Sequence, residues 1–245
     1  MKVYSFDVGG DFAAFKDPTV TTSQDTYLVP SKSAIVGLLG AAIGITRMQF
    51  ESEIFSKEFQ DFLSKTSVGV EVLGEGECVE KVTINTNHRS LKAAKTMPFK
   101  TEFLVNPTYR IYFTTSKAYE NRLEEVFSKN SFVYTPYLGH AYCIARISGF
   151  KSFDGKLADA EKGIKTKTVV LSEESRERNV SVELRGLKGT LVVERHLHHF
   201  FENGSLTSRV LRYYVPIGTD VEIKSKPNQK WCSFHNLGEK VVCLF

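Results

Sequence analysis

Ser67-Val68-Gly69-Val70-Glu71-Val72-Leu73 puts a branched apolar side chain at alternate positions. A period of two is the mark of a strand with one buried face. Downstream, Cys78–Ile84 alternates the same way through Val82 and Ile84. Phe103–Thr114 reads as a further strand, which Pro107 restricts to an edge or a bulge. Ala118–Phe127 has helical spacing, with Leu123, Val126 and Phe127 inward, and Tyr142–Phe150 is strand-like again. Upstream, Ile54, Phe55, Phe59, Phe62 and Leu63 predict an amphipathic helix over Phe50–Leu63. Ala34–Ile45 is almost wholly apolar and carries Gly37, Gly40 and Gly44, which predicts a helix buried against a close neighbour such as a sheet. Ser31 or Ser33 suits its N-cap. Residues 11–32 read as a long loop, and Lys2–Val8 as an opening strand that Gly9-Gly10 ends.

Reduced to its core, the order is βαββαβ. That is the split-βαβ, ferredoxin-like arrangement of an α+β domain, RRM-like in outline, over residues 1–150. Gly149–Lys162, rich in Gly, Lys and Asp, is the candidate linker. Residues 151–245 show only short strand-like runs (Val169–Leu171, Val180–Leu184, Leu191–His199, Arg209–Pro216 and Val221–Lys224), which predict a small β-rich C-terminal domain.

At 245 residues with 42% hydrophobic and 24% charged side chains, the chain has an ordinary globular composition. Its longest apolar run, Ala34–Ile45, falls short of the roughly 20 residues of a bilayer span, so no membrane partner is expected. Asp7, Gly9 and Gly10 sit where a secretory signal needs its apolar core. Four scattered cysteines (Cys78, Cys143, Cys232 and Cys243) without a C-x-x-C predict reduced thiols in a cytoplasm. No cofactor is expected. Gly74-Glu75-Gly76 opens no helix, and no Gly-Lys-Ser/Thr follows Gly37–Gly44, so neither is a nucleotide fingerprint. His196 and His198 in Arg195-His196-Leu197-His198-His199 share one strand face, but nothing is spaced to complete a metal set. A solvated or RNA-facing histidine strand is expected instead.

Net charge is only +4, from 32 basic and 28 acidic residues, yet the charge is clustered. From His88 to Arg122 the bases are Arg89, Lys92, Lys95, Lys100, Arg110, Lys117 and Arg122 against Glu102 and Glu120, a local surplus of five. Such density attracts phosphates through Coulomb energy and counterion release. Unpaired RNA is held by cations and by bases stacked on aromatic or guanidinium planes. Phe15, Tyr27 and Tyr109 lie near Lys16, Lys32, Arg89, Lys92, Lys95 and Arg110 in the sequence; Phe12, Phe103, Tyr112 and Phe113 are assigned to the core. The amides at Ser31–Ser33, at a helix start, form a ready anion site. The expected RNA-binding set is Phe15, Lys16, Tyr27, Ser31, Lys32, Ser33, Arg47, His88, Arg89, Lys92, Lys95, Lys100, Tyr109, Arg110 and His140. Metal-free RNA cleavage needs a base, an acid and a cation, which Tyr27, His88 and Lys92 or Lys95 supply if they converge.

Gly10-Asp11-Phe12-Ala13-Ala14-Phe15-Lys16 and the run Tyr27–Gly44 resemble the opening of Cas family 5, a group of CRISPR-associated proteins. Pro98–Tyr112 and Thr135-Pro136-Tyr137-Leu138-Gly139-His140 resemble its later signatures, closest to the versions in subtypes I-B and I-A. The resemblance covers roughly residues 1–150. It implies a RAMP-type protein with a β-hairpin thumb, here at about residues 85–102. It implies a non-catalytic subunit that grips the repeat-derived 5′ handle of the CRISPR RNA and caps a type I Cascade surveillance complex in prokaryotic antiviral defence. The implied partners are a Cas family 7 backbone subunit and a Cas family 8 large subunit. In subtype I-C the family member itself cleaves precursor RNA, as an endoribonuclease using a tyrosine and an adjacent lysine–histidine pair. Here His88-Arg89 stands in place of that pair. Val29-Pro30-Ser31-Lys32-Ser33 stands where the family often shows Pro-Pro-Thr-Arg-Ser, and a lysine lacks arginine's bidentate fork.

Overall fold

β1 (Lys2–Gly9) buries both faces, with Val3, Tyr4, Ser5, Phe6 and Val8 all inaccessible. A strand buried on both sides is a central one. The structure, a computed structural model, describes residues 1–20, 23–48, 55–74, 79–89, 96–173, 180–184, 187–202, 205–225 and 231–245. Three short pieces follow β1: β2 (Phe12–Ala13), β3 (Phe15–Lys16) and β4 (Thr26–Tyr27). Two capped helices come next. The Ser31 hydroxyl accepts from the Ala34 amide at the start of α1 (Lys32–Ala42), and Ser56 does the same for Phe59 at α2 (Lys57–Lys65). The strand over Ser67–Leu73 is present as β5, with the expected bounds. Then come β6 (Lys81–Arg89), β7 (Thr96–Val105), β8 (Thr108–Thr114), α3 (Lys117–Lys129) and β9 (Arg146–Asp154).

These elements build a four-stranded antiparallel sheet in the order β5-β8-β1-β9. Phe6, Phe113, Phe127 and Phe150 interlock between the sheet and α3, with ring centroids 4.8–6.2 Å apart. The opposite side carries Val3 and Tyr112, which pack on Val242 and Leu244 near the C-terminus. Against β1, β9 has a bulge between Ser5 and Asp7, where Gly149 takes a left-handed φ of 67°.

Several expectations need correction. Phe103–Thr114 is two strands, not one. Asn106 adopts a left-handed φ of 47° and Pro107 has no amide to give, so the chain turns there from the β6–β7 hairpin into the central sheet. The helix expected over Ala34–Ile45 begins at Lys32 and ends at Ala42, and it is not buried all round: a Cβ at Gly37 would meet open space, and one at Gly40 only ordinary contact with Ile45 and Phe62. The second helix starts at Lys57; the expected turns at 50–54 lie outside the described residues, as does Cys78. The strand expected from Tyr142 starts at Arg146, and the first part of the candidate linker is its second half. Phe12, assigned to the core, is 43% exposed, whereas Phe103, Tyr112 and Phe113 are buried.

The rest is strand: β10 (Lys156–Leu157), β11 (Ile164–Thr166), β12 (Val170–Glu173), β13 (Val180–Glu183), β14 (Thr190–Glu202), β15 (Ser205–Ile217), β16 (Val221–Ser225), β17 (Ser233–Asn236) and β18 (Val241–Leu244). β14 and β15 pair from Thr190–Ile217 to Glu202–Ser205. The end of the chain returns to the central sheet: Val68 and Phe245 exchange backbone hydrogen bonds of 2.9 and 2.8 Å, and the Val169 amide donates to Val70. One buried apolar cluster therefore runs from Tyr4 to Phe245. Among the described residues, no helix is long and apolar enough to cross a membrane.

Candidate nucleic-acid interface

α1 begins with three polar residues, Ser31, Lys32 and Ser33. Its cap places the hydroxyls of Ser31 and Ser33 3.1 Å apart. Lys32, the first helical residue, is half-buried, and its ammonium makes no ion pair or hydrogen bond among the described residues. Burial alone pushes its ammonium down to about 8, with no carboxylate acting against the shift. α1 packs here on β14. The charge of Lys32 acts on His198, which burial above all pushes down to about 3. Arg47, exposed and stacked over the Phe55 ring at 5.3 Å, acts likewise on His199. A half-buried cation without a counterion, at the positive end of a helix, is an incomplete site for an anion.

Of the clustered basic residues, Arg89 and Lys100 lie on the β6–β7 hairpin, Arg110 on β8, and Lys117 and Arg122 on α3. The hairpin's register runs from Lys81–Leu104 at the root to Arg89–Thr96 at the far end. β2 pairs with the root through Phe12–Val105 and Ala13–Leu104. Gln24 accepts from the Glu102 amide and donates to the Lys100 carbonyl, which binds the hairpin to the loop before β4. Lys81 donates to the Thr26 carbonyl at 2.7 Å. The backbone of His88 and Arg89 lies at the far end, while Lys92 and Lys95 lie outside the described residues. Lys16 and Lys100 are exposed.

Other expected site residues are occupied inside the protein. Phe15 and Tyr109 are buried with their rings 6.1 Å apart, and the Tyr109 hydroxyl donates to the Leu28 carbonyl. Tyr27 is buried too, so it offers no open stacking face: its ring lies on His196 at 3.8 Å, and His196 lies on Tyr213 at 4.0 Å. Its phenol donates to Asp17, and burial followed by that carboxylate raises it well above the ordinary tyrosine value. Arg110 is held by Asp7 through two bonds of 2.7 and 2.9 Å, across the pair that faces it in β1. His140 is half-buried beside an exposed Tyr142.

The histidine strand is corrected as well. His196 and His198 do share a face, but it is the inward one, so both are buried rather than solvated. His198 Nδ1 meets the Tyr213 hydroxyl at 3.0 Å, and His196 Nε2 meets Glu194 at 3.0 Å. Glu194 also accepts from the Leu28 amide at 3.0 and 3.1 Å. β14 thus latches the segment that enters α1. Alternation gives the shared face of His196 and His198 but not which face is covered, and Glu194 had no local signal at all. Among the described residues, no group of three or more His, Cys, Asp or Glu could hold a metal ion.

Few helices and many strands, arranged in this way, are shared with CRISPR proteins of known structure. A crystal structure of a CRISPR protein from Archaeoglobus fulgidus is 14% identical, with 99% of each chain covered and a TM-score of 0.61. A chain of a CRISPR RNA-guided surveillance complex is 15% identical, with 93% of this chain and 95% of that one covered and a TM-score of 0.51. Curated proteins gave no match. The sequence model of the family described as CRISPR-associated protein (Cas_Cas5) matches residues 3–223, and the chain belongs to that family.

Proposed function

We propose that this protein is a non-catalytic RNA-binding subunit of a CRISPR effector complex. It grips the 5′ handle of the CRISPR RNA and caps a type I Cascade next to a Cas family 7 backbone subunit and a Cas family 8 large subunit, in the cytoplasm of a prokaryote. Family membership supports the complex. The observation that carries RNA binding is Lys32, an ammonium without a counterion at the capped start of α1. Phosphate is the anion that a single-stranded RNA presents. The strand order β5-β8-β1-β9, with its βαββαβ connection, supports a ferredoxin-like platform in residues 1–150, and the β6–β7 hairpin supports the thumb. The strands after β9 support a β-rich C-terminal part, and Glu194 of β14 latches the segment that enters α1.

The ribonuclease reading gains no support from Tyr27. A buried phenol with a raised proton affinity is a poor base, and its ring faces are taken.

The protein, purified with its backbone partner, should carry RNA enriched for the repeat-derived 5′ handle when that RNA is sequenced. Bound RNA without such enrichment, or none at low salt, overturns the assignment.

A further inference from the structure

Aromatic rings meet on the surface at the root of the hairpin. Phe103 of β7 is buried, and it contacts one exposed ring on each of two other segments. Phe12 of β2 lies 6.1 Å away edge-on, and Tyr142 lies 6.1 Å away at a tilt. Phe12 is 43% exposed and Tyr142 is 65% exposed, and with Phe103 between them they form a contiguous aromatic patch. His140 extends the row, stacked on Tyr142 at 5.1 Å with an interplanar angle of 5°.

The row is held stiffly. Within the loop before β9, the Leu138 amide donates to the Cys143 carbonyl, the Cys143 amide to His140, and the Ala145 amide to Pro136. The loop is docked on the chain between β2 and β3, where Ala14 donates to the Leu138 carbonyl at 3.1 Å. Gly139 makes that docking possible: it has a left-handed φ of 86°, and a Cβ there would sit 1.8 Å from the Ala14 carbonyl oxygen.

We propose that Phe12 and Tyr142, backed by Phe103 and His140, are a stacking platform for unpaired bases of an RNA strand. This rests on the RNA-binding reading above and adds a site to it. Charge favours RNA over an apolar protein surface as the occupant. Lys16, at the end of β3, is exposed and near enough to act on His140. Burial, then the charge of Lys16, lowers the His140 imidazole. Planar rings with a cation alongside suit stacked bases and their phosphates. Rigid rings also bind without first having to be ordered.

The test uses the full chain, a 12-nucleotide oligouridine read by fluorescence anisotropy, and the same strand with abasic sites. Phe12→Ala and Tyr142→Ala should each weaken oligouridine binding roughly five- to a hundredfold. Tyr142→Phe should bind like the parent. Because these rings carry no charge, the dependence of affinity on salt should stay as it is in the parent, and abasic strands should bind the parent and Tyr142→Ala alike. A 4-thiouridine strand should crosslink to the peptides that hold Phe12 or Tyr142. Unchanged affinity in both alanine variants, with unchanged circular dichroism, overturns the platform and leaves the RNA-binding reading in place. Crosslinks confined to other peptides, or a self-associated parent that Phe12→Ala makes monomeric, overturn it too. A parent that binds no RNA removes both readings.

Discussion

Lys32 is where one side chain has the largest functional consequence. Its proton affinity is low because it is half-buried, and nothing nearby offsets that. An RNA phosphate restores the charge balance, so binding and protonation are linked. The sign follows: as pH rises through about 8 the free protein gives up the proton that the bound state keeps, and affinity falls. Affinity for single-stranded RNA, measured by anisotropy from pH 7 to 9.5, should drop by up to about tenfold per pH unit in the parent. Lys32→Arg, which stays protonated throughout, should be flatter. An equal pH slope in both proteins excludes Lys32 from the contact. In the sequence Lys32 reads as a loop cation before a helix, which is nearly right. Its isolation is not legible there, because it depends on which side chains β14 brings against it. Phe12 shows the same gap, since a short apolar run gives no sign of which ring is left outside.

The turn at Asn106-Pro107 sets apart the two main strand systems. Before it the chain runs in the β6–β7 hairpin, and after it in the central sheet. Pro107 was legible as a mark of an edge or a bulge, but the break into two strands was not, because the left-handed residue is Asn106. Among the helices, α3 is tied to β1 through Glu124, which accepts from the Tyr4 hydroxyl at 2.9 Å and from Lys2 at 3.1 Å. These bonds, Tyr4 first, hold the Glu124 carboxyl below the usual carboxylate range. A carboxylate with a depressed folded value adds stability above its unfolded value of about 4.3 and loses it as pH falls through the folded one. Glu124→Gln should therefore lower the urea midpoint at pH 7 and narrow the gap from the parent at pH 3. A constant gap across that range excludes the latch as the cause.

At the scale of the whole molecule, β5 was legible because its valines alternate along the sequence, although the structure buries Val68 through Glu71 on both faces. The way the C-terminal strands close on the central sheet was not, because such contacts link residues far apart in the chain. Gly69 records the closure: a Cβ there would lie 2.4 Å from the Cys243 carbonyl oxygen, a backbone atom that cannot swing aside. Gly69→Ala should cost about 1–3 kcal/mol in denaturant unfolding through overpacking, with the two halves melting together. A change under about 0.5 kcal/mol, the usual range for a surface site, means that the approach is looser than this.

The central sheet also ends differently on its two sides. Phe245 and Val169 occupy the backbone of β5, so no foreign strand can add there. The other border, β9, has a partner on one side only among the described residues. It is kinked at Gly149 and carries Arg146 and Lys151. Kinks and cations along a border are how β proteins deter indiscriminate polymerisation. A molecule guarded in this way can wait, crowded among its own copies, without seeding aggregates.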